Sequence, residues 1–466
     1  MTVGDPKFGT DGVRGVANTE LTAEFALRLG IAAAHVLVRH AAGRHVVVGR
    51  DTRISGDMLE AALSAGLASA GCQVSNVGVV PTPAVSHIVA RHRAAAGAVI
   101  SASHNPYEDN GIKFIGSDGR KLPDALEEEI SQLVAHALEL PRPTGRDIGR
   151  ILEARQDRGT ERSDRTPPMK DPVQGYIAHV AATAGGPLDG LRLVLDCANG
   201  ATSAYAPALY ADLGAEVDVL YANPDGTNIN RACGSTCPED MCFRVRELGA
   251  DAGLAFDGDG DRVVLCDENG VLVDGDRIMA LCAVGMKARG ELPGNQVVAT
   301  IMSNAGFEAF LEDQGIRVIR TDVGDRYVAE EMLRTGAALG GEQSGHVIFA
   351  RLTRTGDGMV TGLQVLREMR HAGEPLSRLA GRMPVFPQVL RNVRVADRTA
   401  WKTDPRIQAA IEDARAQLER PEWLSVRASG TEPVIRIMAQ GRDAATVEQV
   451  VASLCDLIQR HAGADA

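Results

Sequence analysis

One pattern occurs three times in the chain and limits what this sequence can fold into. Each copy reads as a β-branched run, a polar turn, an amphipathic helix, a glycine and a second strand, which together make a βαβ unit. The first strands lie in HVVVGRD (45–51), LRLVLDCANG (191–200) and NQVVATIMSN (295–304). The repeat predicts three α/β domains of similar build, each with a mixed sheet.

Each copy continues into a further short strand that ends in a polar loop. These segments are AGAVISASHNP (96–106), DAGLAFDGDGDR (251–262) and ALGGEQSGH (338–346). In open sheets with parallel strands, ligands sit beyond the carboxyl ends of the strands. We therefore expect the three loops to line one central cleft.

The last part of the chain has a different order of elements. After residue 384 the pattern reads strand, helix, strand, loop, strand, helix, which predicts a smaller α+β domain. The stretch 141–172 carries many charges and several prolines, so we expect an exposed linker or insertion there. The expected domains are 1–140, 173–266, 267–383 and 384–466, for which a chain of 466 residues is long enough.

The charge balance excludes some classes of partner. The chain has 49 Lys and Arg against 61 Asp and Glu, and its net charge of −12 argues against nucleic acid or an anionic membrane as the partner. No apolar run reaches the roughly 18 residues of a membrane span. The start of the chain lacks the pattern of a secretory signal, and eight cysteines in so long a chain do not indicate a disulfide framework. We expect a cytoplasmic protein.

The second polar loop carries three carboxylates at alternate positions. Asp257, Asp259 and Asp261 are separated by glycines that let the loop fold tightly, so they can converge on a hard cation such as Mg²⁺. A calcium-binding EF-hand is an alternative, because Glu268 stands at the twelfth position of such a loop. Against it, Arg262 occupies the sixth position, where that loop needs glycine, and the flanks look like strands. An acidic surface turn is a third interpretation.

Three cysteines offer a second candidate metal site. Cys233, Cys237 and Cys242 are spaced loosely enough to suggest zinc. Neither a CxxC pair nor a fourth nearby ligand accompanies them, so a set of plain thiols is the alternative.

The first polar loop offers a nucleophile. It reads SASHNP (101–106) and is followed by NGIKF (110–114), so a serine at the end of a strand stands beside His104 and within reach of Lys113. Such a serine can attack phosphate if a group removes its proton and a cation shields the charge. Ser, Asn and Pro also form ordinary turns, so a structural turn is an equal alternative. At the start of the chain, the glycine-rich FGTDGVRG carries Arg14, which could fold back on a phosphoryl group.

Two further loops carry groups suited to a phosphorylated sugar. In the third polar loop, Glu342, Ser344 and His346 can form hydrogen bonds to vicinal hydroxyls, although a helix-capping turn explains the same residues. In the last domain, RASGTEP (427–433) offers a guanidinium, hydroxyls and backbone N–H groups around a glycine. That is the composition of a phosphate cradle, to which Arg436 can add charge. A hairpin turn is the alternative.

Taken together, these motifs resemble a known family. FGTDGVRG, ISASHNP with NGIKF, DGDGDR, GEQSGH and SGTEP follow one another in this order over nearly the whole chain, and the set is similar to the α-D-phosphohexomutase family. The resemblance implies an isomerase that carries a phosphoryl group on Ser103 as phosphoserine. It also implies a sugar 1,6-bisphosphate as intermediate and primer, and one Mg²⁺ per chain.

The motifs also indicate a substrate class. FGTDGVRG, GEQSGH and VGDRYV (323–328) are most similar to bacterial members that interconvert glucosamine 6-phosphate and glucosamine 1-phosphate, on the route to UDP-N-acetylglucosamine and peptidoglycan. Members that act on mannose and glucose phosphates are the alternative. A phosphoserine-dependent phosphatase and a non-enzymatic calcium-binding protein are the rival classes. The expected partners are small hexosamine phosphates, without nucleic acid or membrane, and a homodimer is left open.

The resemblance finally implies roles for individual residues. The metal ligands would be Ser103, Asp257, Asp259 and Asp261. The groups around the transferring phosphoryl group would be Arg14, His104, Lys113 and Arg262, with Lys113 as the candidate for proton transfer. The sugar would be contacted by Glu342, Ser344 and His346. The phosphate that does not react would be held by Arg427, Ser429, Gly430 and Thr431.

Overall fold

The structure of the chain is a computed structural model, and it describes residues 8–9, 12–41, 43–153, 171–397, 399–429 and 433–463. Within these residues, four separate sheets follow one another along the chain. The three repeated units and the final unit expected from the sequence each build one of these sheets. The expected fold class, three similar α/β units followed by a smaller α+β unit, is therefore confirmed.

The first unit is a mixed sheet with helices on its faces. Its strands lie in the order β1-β2-β6-β5-β3-β4-β7, and the four inner residues of β3 are buried because both faces of the sheet are covered. The elements are β1 (Phe8–Gly9), β2 (Gly12–Val16), α1 (Ala23–Leu37), β3 (His45–Arg50), α2 (Gly56–Ser69), β4 (Gln73–Val79), α3 (Thr82–His92), β5 (Ala96–Ile100), β6 (Asp109–Gly116), α4 (Asp124–Val134) and β7 (Ile151–Glu153).

The second and third units repeat this plan on a smaller scale. The second unit contains α5 (Pro172–Ala182), β8 (Arg192–Asp196), α6 (Ala206–Asp212), β9 (Glu216–Leu220), α7 (Glu239–Leu248), β10 (Ala252–Phe256), β11 (Val263–Asp267) and β12 (Leu272–Val273). The third contains α8 (Gly275–Ala288), β13 (Gln296–Thr300), α9 (Ala305–Asp313), β14 (Arg317–Thr321), α10 (Asp325–Thr335), β15 (Leu339–Gly341), β16 (Val347–Phe349), α11 (Gly358–Ala372) and α12 (Leu376–Ala380).

One four-stranded arrangement is common to the three sheets. The neighbours run β4-β3-β5-β6 in the first, β9-β8-β10-β11 in the second and β14-β13-β15-β16 in the third. In each, the first three strands are parallel and the fourth is antiparallel to the third. The connection between the third and fourth strands therefore occupies the same place in every unit, and it is the polar loop identified in the sequence.

The fourth unit is an antiparallel sheet in the order β17-β19-β18, covered by helices. Its elements are β17 (Gln388–Arg394), α13 (Ala400–Thr403), α14 (Pro405–Gln417), β18 (Leu424–Ala428), β19 (Val434–Gln440) and α15 (Ala444–Ala462). Apolar positions along α14 and α15 pack on one face of the sheet, as Ile411, Val447 and Ile437 illustrate.

The apolar cores show how the units are joined. One continuous core contains side chains of the first three units, among them Val85 of α3, Leu254 of β10 and Val297 of β13. The fourth unit has a core of its own, which reaches the third unit through Ala305 and Ala309 of α9. The first three units thus form one packed body, against which the fourth unit is placed.

The linker expected at 141–172 is only partly irregular. Ile151–Glu153 forms β7, which adds to the edge of the first sheet by pairing in parallel with β4. Pro172 already begins α5. Residues 154–170 lie outside the described part of the chain. None of the helices in the described residues has the length and apolar character that crossing a membrane requires.

Candidate active site

The three polar loops meet at one place in the structure. They connect β5 to β6, β10 to β11 and β15 to β16, beyond the carboxyl ends of β5, β10 and β15. The second loop touches the first, since a Cβ atom on Gly258 would lie 2.6 Å from Ser103 O. The third touches the second, because Gly345 accepts a hydrogen bond from Val263 N at 3.2 Å, and its φ of 91° favours glycine. The loops therefore build one site.

Ser103 is buried in this site. Only 1% of the residue is exposed, and Oγ donates a hydrogen bond to Asp257 Oδ2 at 2.6 Å. The backbone φ of 52° lies in the left-handed region, which costs a residue with a Cβ atom about 1–2 kcal/mol. Such a conformation persists only where the surroundings hold it. The serine predicted as nucleophile is thus held against one of the predicted metal ligands.

A buried arginine, which the sequence analysis did not single out, holds the Ser103 loop. Arg53 Nη2 donates to the carbonyl oxygens of Ser103 at 3.0 Å and Asn105 at 2.8 Å. Its Nη1 donates to the carbonyl oxygens of Pro106 and Asp109. One guanidinium therefore ties four backbone carbonyls of the loop together.

The charge of Arg53 is balanced by Asp51. Arg53 Nε lies 2.9 Å from Asp51 Oδ2, and neither side chain is exposed. Ser101 Oγ donates to the same oxygen at 2.6 Å and accepts from Ser103 N at 2.9 Å. Asp51 and Arg53 directly follow β3, which neighbours β5. Their position at the end of a buried parallel strand was the signal in the sequence that could have identified them.

The three aspartates converge as the sequence predicts. One carboxylate oxygen from each of Asp257, Asp259 and Asp261 lies within 4.8 Å of the others, and all three residues are buried. Oδ1 of Asp259 and Oδ1 of Asp261 receive no hydrogen bond from the described residues. A buried carboxylate oxygen without a donor is costly unless a cation satisfies it. Hard oxygen ligands of this kind suit Mg²⁺, so the residues present fit that ion.

Cationic and hydroxyl groups surround the aspartates. Lys113 Nζ lies 3.0 Å from Asp259 Oδ2 and 4.0 Å from Asp261 Oδ2. Thr82 Oγ1, at the start of α3, donates to Asp259 Oδ2 at 2.7 Å. Lys113 was predicted from the sequence, whereas Thr82 was not. The residues around Thr82 in the sequence do not indicate that it contacts the aspartate loop of another unit.

The aspartates have divergent acidities. Burial, together with the charges of Asp261 and Asp259, raises the pKa of Asp257 well above its usual value. Burial acts in the same direction on Asp261, but the charges of His346, Lys113 and Arg262 outweigh it and lower the pKa of that carboxyl. The neighbouring protein groups therefore do not balance the negative charge of the cluster at Asp257. Ser103 Oγ binds to this residue.

His104 and Arg262 lie beside the serine. His104 Nδ1 is 3.5 Å from Ser103 Oγ and 3.5 Å from Arg262 Nη1. Burial lowers the pKa of His104, and the charges of Arg262 and Arg14 lower it further. The imidazole is therefore neutral near pH 7, with guanidinium charge close to it. Arg14 reaches this region from β2, which pairs with β6.

The predicted site residues of the third loop differ in their exposure to solvent. Ser344 is exposed and Glu342 is half-buried, so both are open to a ligand. His346 is 1% exposed; Nδ1 lies 3.6 Å from Asp261 Oδ2, and Nε2 lies 3.7 Å from Asp325 Oδ2. Burial lowers the pKa of His346, but the two aspartates reverse the effect and raise it. In the structure this imidazole contacts the loop of the three aspartates (257–262), which we call the metal loop. Its contact with a sugar remains a prediction.

The fourth loop brings two guanidinium groups together. Arg427 of β18 and Arg436 of β19 are directly opposite in the antiparallel pair, where like charges destabilise each other unless an anion lies between them. Burial lowers the pKa of Arg427, and the charge of Arg436 adds to this effect. Arg427 Nη2 lies 3.8 Å from Met302 Sδ of the third unit. Ser429 is buried, whereas Gly430 and Thr431 lie outside the described residues.

The alternative metal sites fail on the structure. The flanks of the aspartate loop are the antiparallel strands β10 and β11, not the helices of an EF-hand. Glu268 does not turn towards the aspartates, because its carboxylate accepts hydrogen bonds from the backbone and hydroxyl of Ser377. Among the described residues, the aspartates are the only group of three or more candidate ligands that come together, so the cysteines do not form a zinc site.

Comparison with known proteins covers almost the whole chain. Four models of phosphoglucomutase/phosphomannomutase domains match it in succession: alpha/beta/alpha domain I at 5–140, domain II at 174–270, domain III at 274–386 and the C-terminal domain at 390–457. The phosphoglucosamine mutase of Moorella thermoacetica is 54% identical over 448 residues, which are 96% of this chain and 98% of that protein. The phosphoglucosamine mutase of Brevibacillus brevis is 48% identical over 456 residues, 97% of this chain and 98% of that protein.

Solved structures share the fold at lower identity. A phosphoglucomutase/phosphomannomutase family protein from Burkholderia thailandensis has a TM-score of 0.78 at 24% identity, with 97% of each chain covered. The N-acetylphosphoglucosamine mutase of Aspergillus fumigatus, solved with GlcNAc-6P and magnesium, has a TM-score of 0.69 at 17% identity, with 98% of this chain and 96% of that chain covered. These likenesses extend the agreement in fold to all four units.

Proposed function

Because the chain belongs to the phosphoglucomutase/phosphomannomutase family, we propose that it is a phosphoglucosamine mutase, which interconverts glucosamine 6-phosphate and glucosamine 1-phosphate. The observation that carries the chemistry is the 2.6 Å hydrogen bond from the buried Ser103 Oγ to Asp257, inside a cluster of three aspartates. The choice of sugar is supported by the relatives, since the curated proteins from Moorella thermoacetica and Brevibacillus brevis carry this activity as their name.

Ser103 carries the phosphoryl group in this proposal. The phosphorus–oxygen bond of the phosphoserine breaks as a free hydroxyl of the sugar phosphate attacks, and the sugar becomes a 1,6-bisphosphate. After the bisphosphate turns round, Ser103 Oγ attacks the other phosphoryl group and the isomeric monophosphate leaves. Each hydroxyl that attacks gives its proton to Lys113, the proposed acceptor in its neutral form. Each oxygen that leaves, first Ser103 Oγ and then the sugar oxygen, takes a proton back from it.

Phosphoryl transfer depends on positioning and on balancing charge. Arg14 and Arg262 supply positive charge near Ser103, and the neutral His104 can exchange a hydrogen bond with its Oγ. The buried ties from Arg53 to the loop keep the serine oriented. A site that is already arranged before the substrate binds avoids reorganisation during the transfer.

One Mg²⁺ fits the aspartate cluster. Asp257, Asp259 and Asp261 would hold it together with the phosphoserine. When bound, it would neutralise charge on the transferring phosphoryl group. The Oδ1 atoms of Asp259 and Asp261 support this assignment, because neither of these buried atoms receives a hydrogen bond from the residues that the structure describes.

A second anchor is needed for the phosphate that does not react. The paired guanidiniums of Arg427 and Arg436 are proposed for it, with Ser429, Gly430 and Thr431. A fixed remote anchor allows one serine to serve both ends of the sugar. Glu342 and Ser344 are proposed to bind the sugar hydroxyls, and His346 with them. The domain limits 1–140, 173–266, 267–383 and 384–466 are part of the same proposal, each placing one loop at the site.

The cytoplasm is the proposed location. All eight cysteines are free thiols, which accords with a reducing compartment. The proposed substrates, hexosamine phosphates, are small charged metabolites that a membrane does not pass.

A comparison of substrates tests the proposal. We expect the highest kcat/KM for glucosamine 6-phosphate when it is compared with glucose 6-phosphate and mannose 6-phosphate, each with its 1,6-bisphosphate as primer. A preference for glucose or mannose would identify a phosphoglucomutase or phosphomannomutase instead. Steady release of inorganic phosphate at the rate of turnover would identify a phosphatase, since a mutase keeps its intermediate away from water.

A further inference from the structure

A cavity of about 430 Å³ lies where three units meet. Its walls are α3 of the first unit, α5 of the second and the loop that follows β16 in the third. None of the residues that the sequence analysis proposed for the active site lines it. The volume is in the range of small-molecule pockets, roughly 300–1,000 Å³.

Four arginines surround this cavity. Arg91 and Arg93 come from the end of α3, and Arg351 and Arg354 come from the loop on the opposite wall. All four residues are exposed, and within the described part of the chain none of their guanidinium groups makes a hydrogen bond or an ion pair. In a chain with a net charge of −12, four unpaired positive charges around one cavity form a local exception.

Among the described residues that line the cavity, no free carboxylate balances these charges. Asp357 is the acidic residue among the described residues that line it. Its Oδ2 accepts from Tyr176 OH at 2.9 Å and its Oδ1 from Val360 N at 3.1 Å, as the cap of α11. Burial raises the pKa of Asp357 to about 6. Asp357 is therefore buried and already satisfied.

Helix capping explains only part of this cluster. Positive side chains at the carboxyl end of a helix interact favourably with its dipole, which accounts for Arg91. Arg351 and Arg354 lie outside any helix, so that explanation does not reach them. Water and salt screen the repulsion between these exposed charges, and an anion that lies between the walls would relieve it further.

Two imidazoles complete the wall between the arginine pairs. His87 and His179 have ring centroids 4.6 Å apart, and His179 Nε2 lies 2.8 Å from Leu352 O, to which it donates. Burial lowers the pKa of His87 to about 4, so this ring is neutral near pH 7. The wall between the charges thus offers two flat rings, of which that of His87 is neutral, suited to the uncharged part of a ligand.

We propose that this cavity binds a small molecule that carries at least two phosphate groups, such as a nucleoside diphosphate. Two arginines on each wall can form charge-assisted, bidentate hydrogen bonds to phosphate oxygens, for which a guanidinium is well shaped. The limited volume and the overall negative charge of the chain favour a compact metabolite over a nucleic-acid strand.

The site is distinct from the active site but adjoins it. The loop that carries Asp357 continues to Gly358, whose N donates to Gly260 O of the metal loop at 3.0 Å. The opposite end of α3 begins at Thr82, which binds Asp259. Two walls of the cavity are therefore built from segments that also form hydrogen bonds to the metal loop.

Calorimetric titration of the full-length chain with pyrophosphate, in a metal-free buffer, tests the proposal. We expect Arg91→Ala/Arg351→Ala to weaken the binding of pyrophosphate at least ten-fold relative to the unmodified chain. The matched control is Arg415→Ala/Arg460→Ala, which removes the same charge from α14 and α15 in the fourth unit, outside the cavity, and it should bind as the unmodified chain does. Inorganic phosphate should bind at least ten-fold more weakly than pyrophosphate.

Because the comparison is between variants of equal net charge, any binding of pyrophosphate in the active site cancels, and the result does not depend on the proposed mutase activity. Unchanged mutase turnover and thermal midpoint in Arg91→Ala/Arg351→Ala would show that the variant is folded. Equal affinity of the two double variants, absence of binding to the unmodified chain, or equal affinity for phosphate and pyrophosphate would each overturn the proposal.

Discussion

At the scale of single residues, the position of Ser103 depends on Arg53. A buried ion pair loses much of its value when one partner is removed, because the other charge is left buried and unpaired. Arg53 and Asp51 are both fully buried. We expect Arg53→Gln to lower the free energy of unfolding by about 3–5 kcal/mol and to reduce turnover, because four carbonyls of the Ser103 loop lose the guanidinium that joins them. The carbonyls of Ser103 and Asn105 keep a second donor, Asn230 Nδ2. Denaturant unfolding and steady-state kinetics measure the two effects.

Arg39→Gln is the matched control for this prediction. Arg39 belongs to the same unit and pairs with Glu129, and the two side chains are 56% and 35% exposed. Exposed ion pairs contribute about 1 kcal/mol or less, so this variant should remain close to the unmodified chain. An equal loss of stability in the two variants would contradict the role assigned to Arg53.

The metal assignment can be tested at Asp259. Asp259→Asn removes one charge from the cluster, while the amide oxygen can still accept from Thr82 and Lys113. We expect the Mg²⁺ concentration for half-maximal activity to rise about ten-fold or more, since affinity follows the number of charged ligands. The thermal midpoint should change little. Asp118→Asn, on an exposed turn, is the control, and an unchanged Mg²⁺ dependence in Asp259→Asn would remove the aspartate from the metal site.

Site residues that belong to the polar loops could be predicted from the sequence. Site residues that belong to other elements could not. Asp257, Asp259 and Asp261 stand at alternate positions in one loop, so their convergence could be predicted. Arg53 and Thr82 reach the site from other elements, and only the packing of the sheets brings them there. His346 was predicted beside a sugar, yet its burial between two aspartates depends on how the third unit rests on the second.

At the scale of elements, the joint between the third and fourth units is a hydrogen-bonded network around the start of α9. Asn304 Nδ2 donates to Phe386 O at 3.0 Å, and Phe386 N donates back to Asn304 Oδ1 at 2.9 Å. Gln440 of β19 accepts from Ala305 N at 2.6 Å. Asp276 of α8 accepts a hydrogen bond from Asn304 N at 2.8 Å, which connects this network to α8.

Asp276 should make the stability of the joint depend on pH. Burial, with the charge of Asp274, raises the pKa of Asp276 from 3.8 to about 7. Between these two values the folded chain binds more protons than the unfolded chain, so the free energy of unfolding falls as the pH rises through this window. The full effect of such a shift is on the order of 4 kcal/mol.

Asp276→Asn should remove this part of the pH dependence. We expect urea midpoints measured at pH 5 and at pH 7.5 to differ less in the variant than in the unmodified chain. Asp313→Asn, at the exposed end of α9, should retain the original difference. If Asp276→Asn shows the same fall in midpoint as the unmodified chain, the carboxyl does not titrate in this window.

Elements were predictable where a period or a repeat supported them. The three βαβ units, with their glycine after each helix, could be located from the sequence, and the strands and helices of the last unit agree with their patterns within a residue or two. β7 could not be predicted, because Ile151–Glu153 is a three-residue edge strand inside a charged stretch. Its pairing with β4 is decided by the free edge of the first sheet.

At the scale of the whole molecule, the division of the cores suggests how the active site opens and closes. The first three units share one core, and the fourth has a separate one. A bisphosphate must turn round in the site without escaping, so the site needs room and must also be covered. The fourth unit carries Arg427 and Arg436, which are attracted to a phosphate held near Ser103. We infer that the fourth unit moves towards the other three when the bisphosphate binds.

Small-angle scattering of the Ser103→Ala chain tests this motion without turnover. The radius of gyration, roughly 23 Å for a compact chain of this length, should decrease when glucosamine 1,6-bisphosphate is added. Arg427→Glu/Arg436→Glu in the same background should not show the decrease, because the fourth unit would then repel the phosphate. An unchanged radius in the parent, or the same decrease in the charge-reversal variant, would contradict the motion.

The most direct test of the proposed function is the rate at which glucosamine 1-phosphate forms from glucosamine 6-phosphate with Ser103→Ala. We expect at least about a 1,000-fold loss relative to the unmodified chain, since removal of a nucleophile abolishes the covalent route. Ser117→Ala, on an exposed turn of the same unit, should keep the full rate. Interconversion by Ser103→Ala at the rate of the unmodified chain would contradict the phosphoserine mechanism.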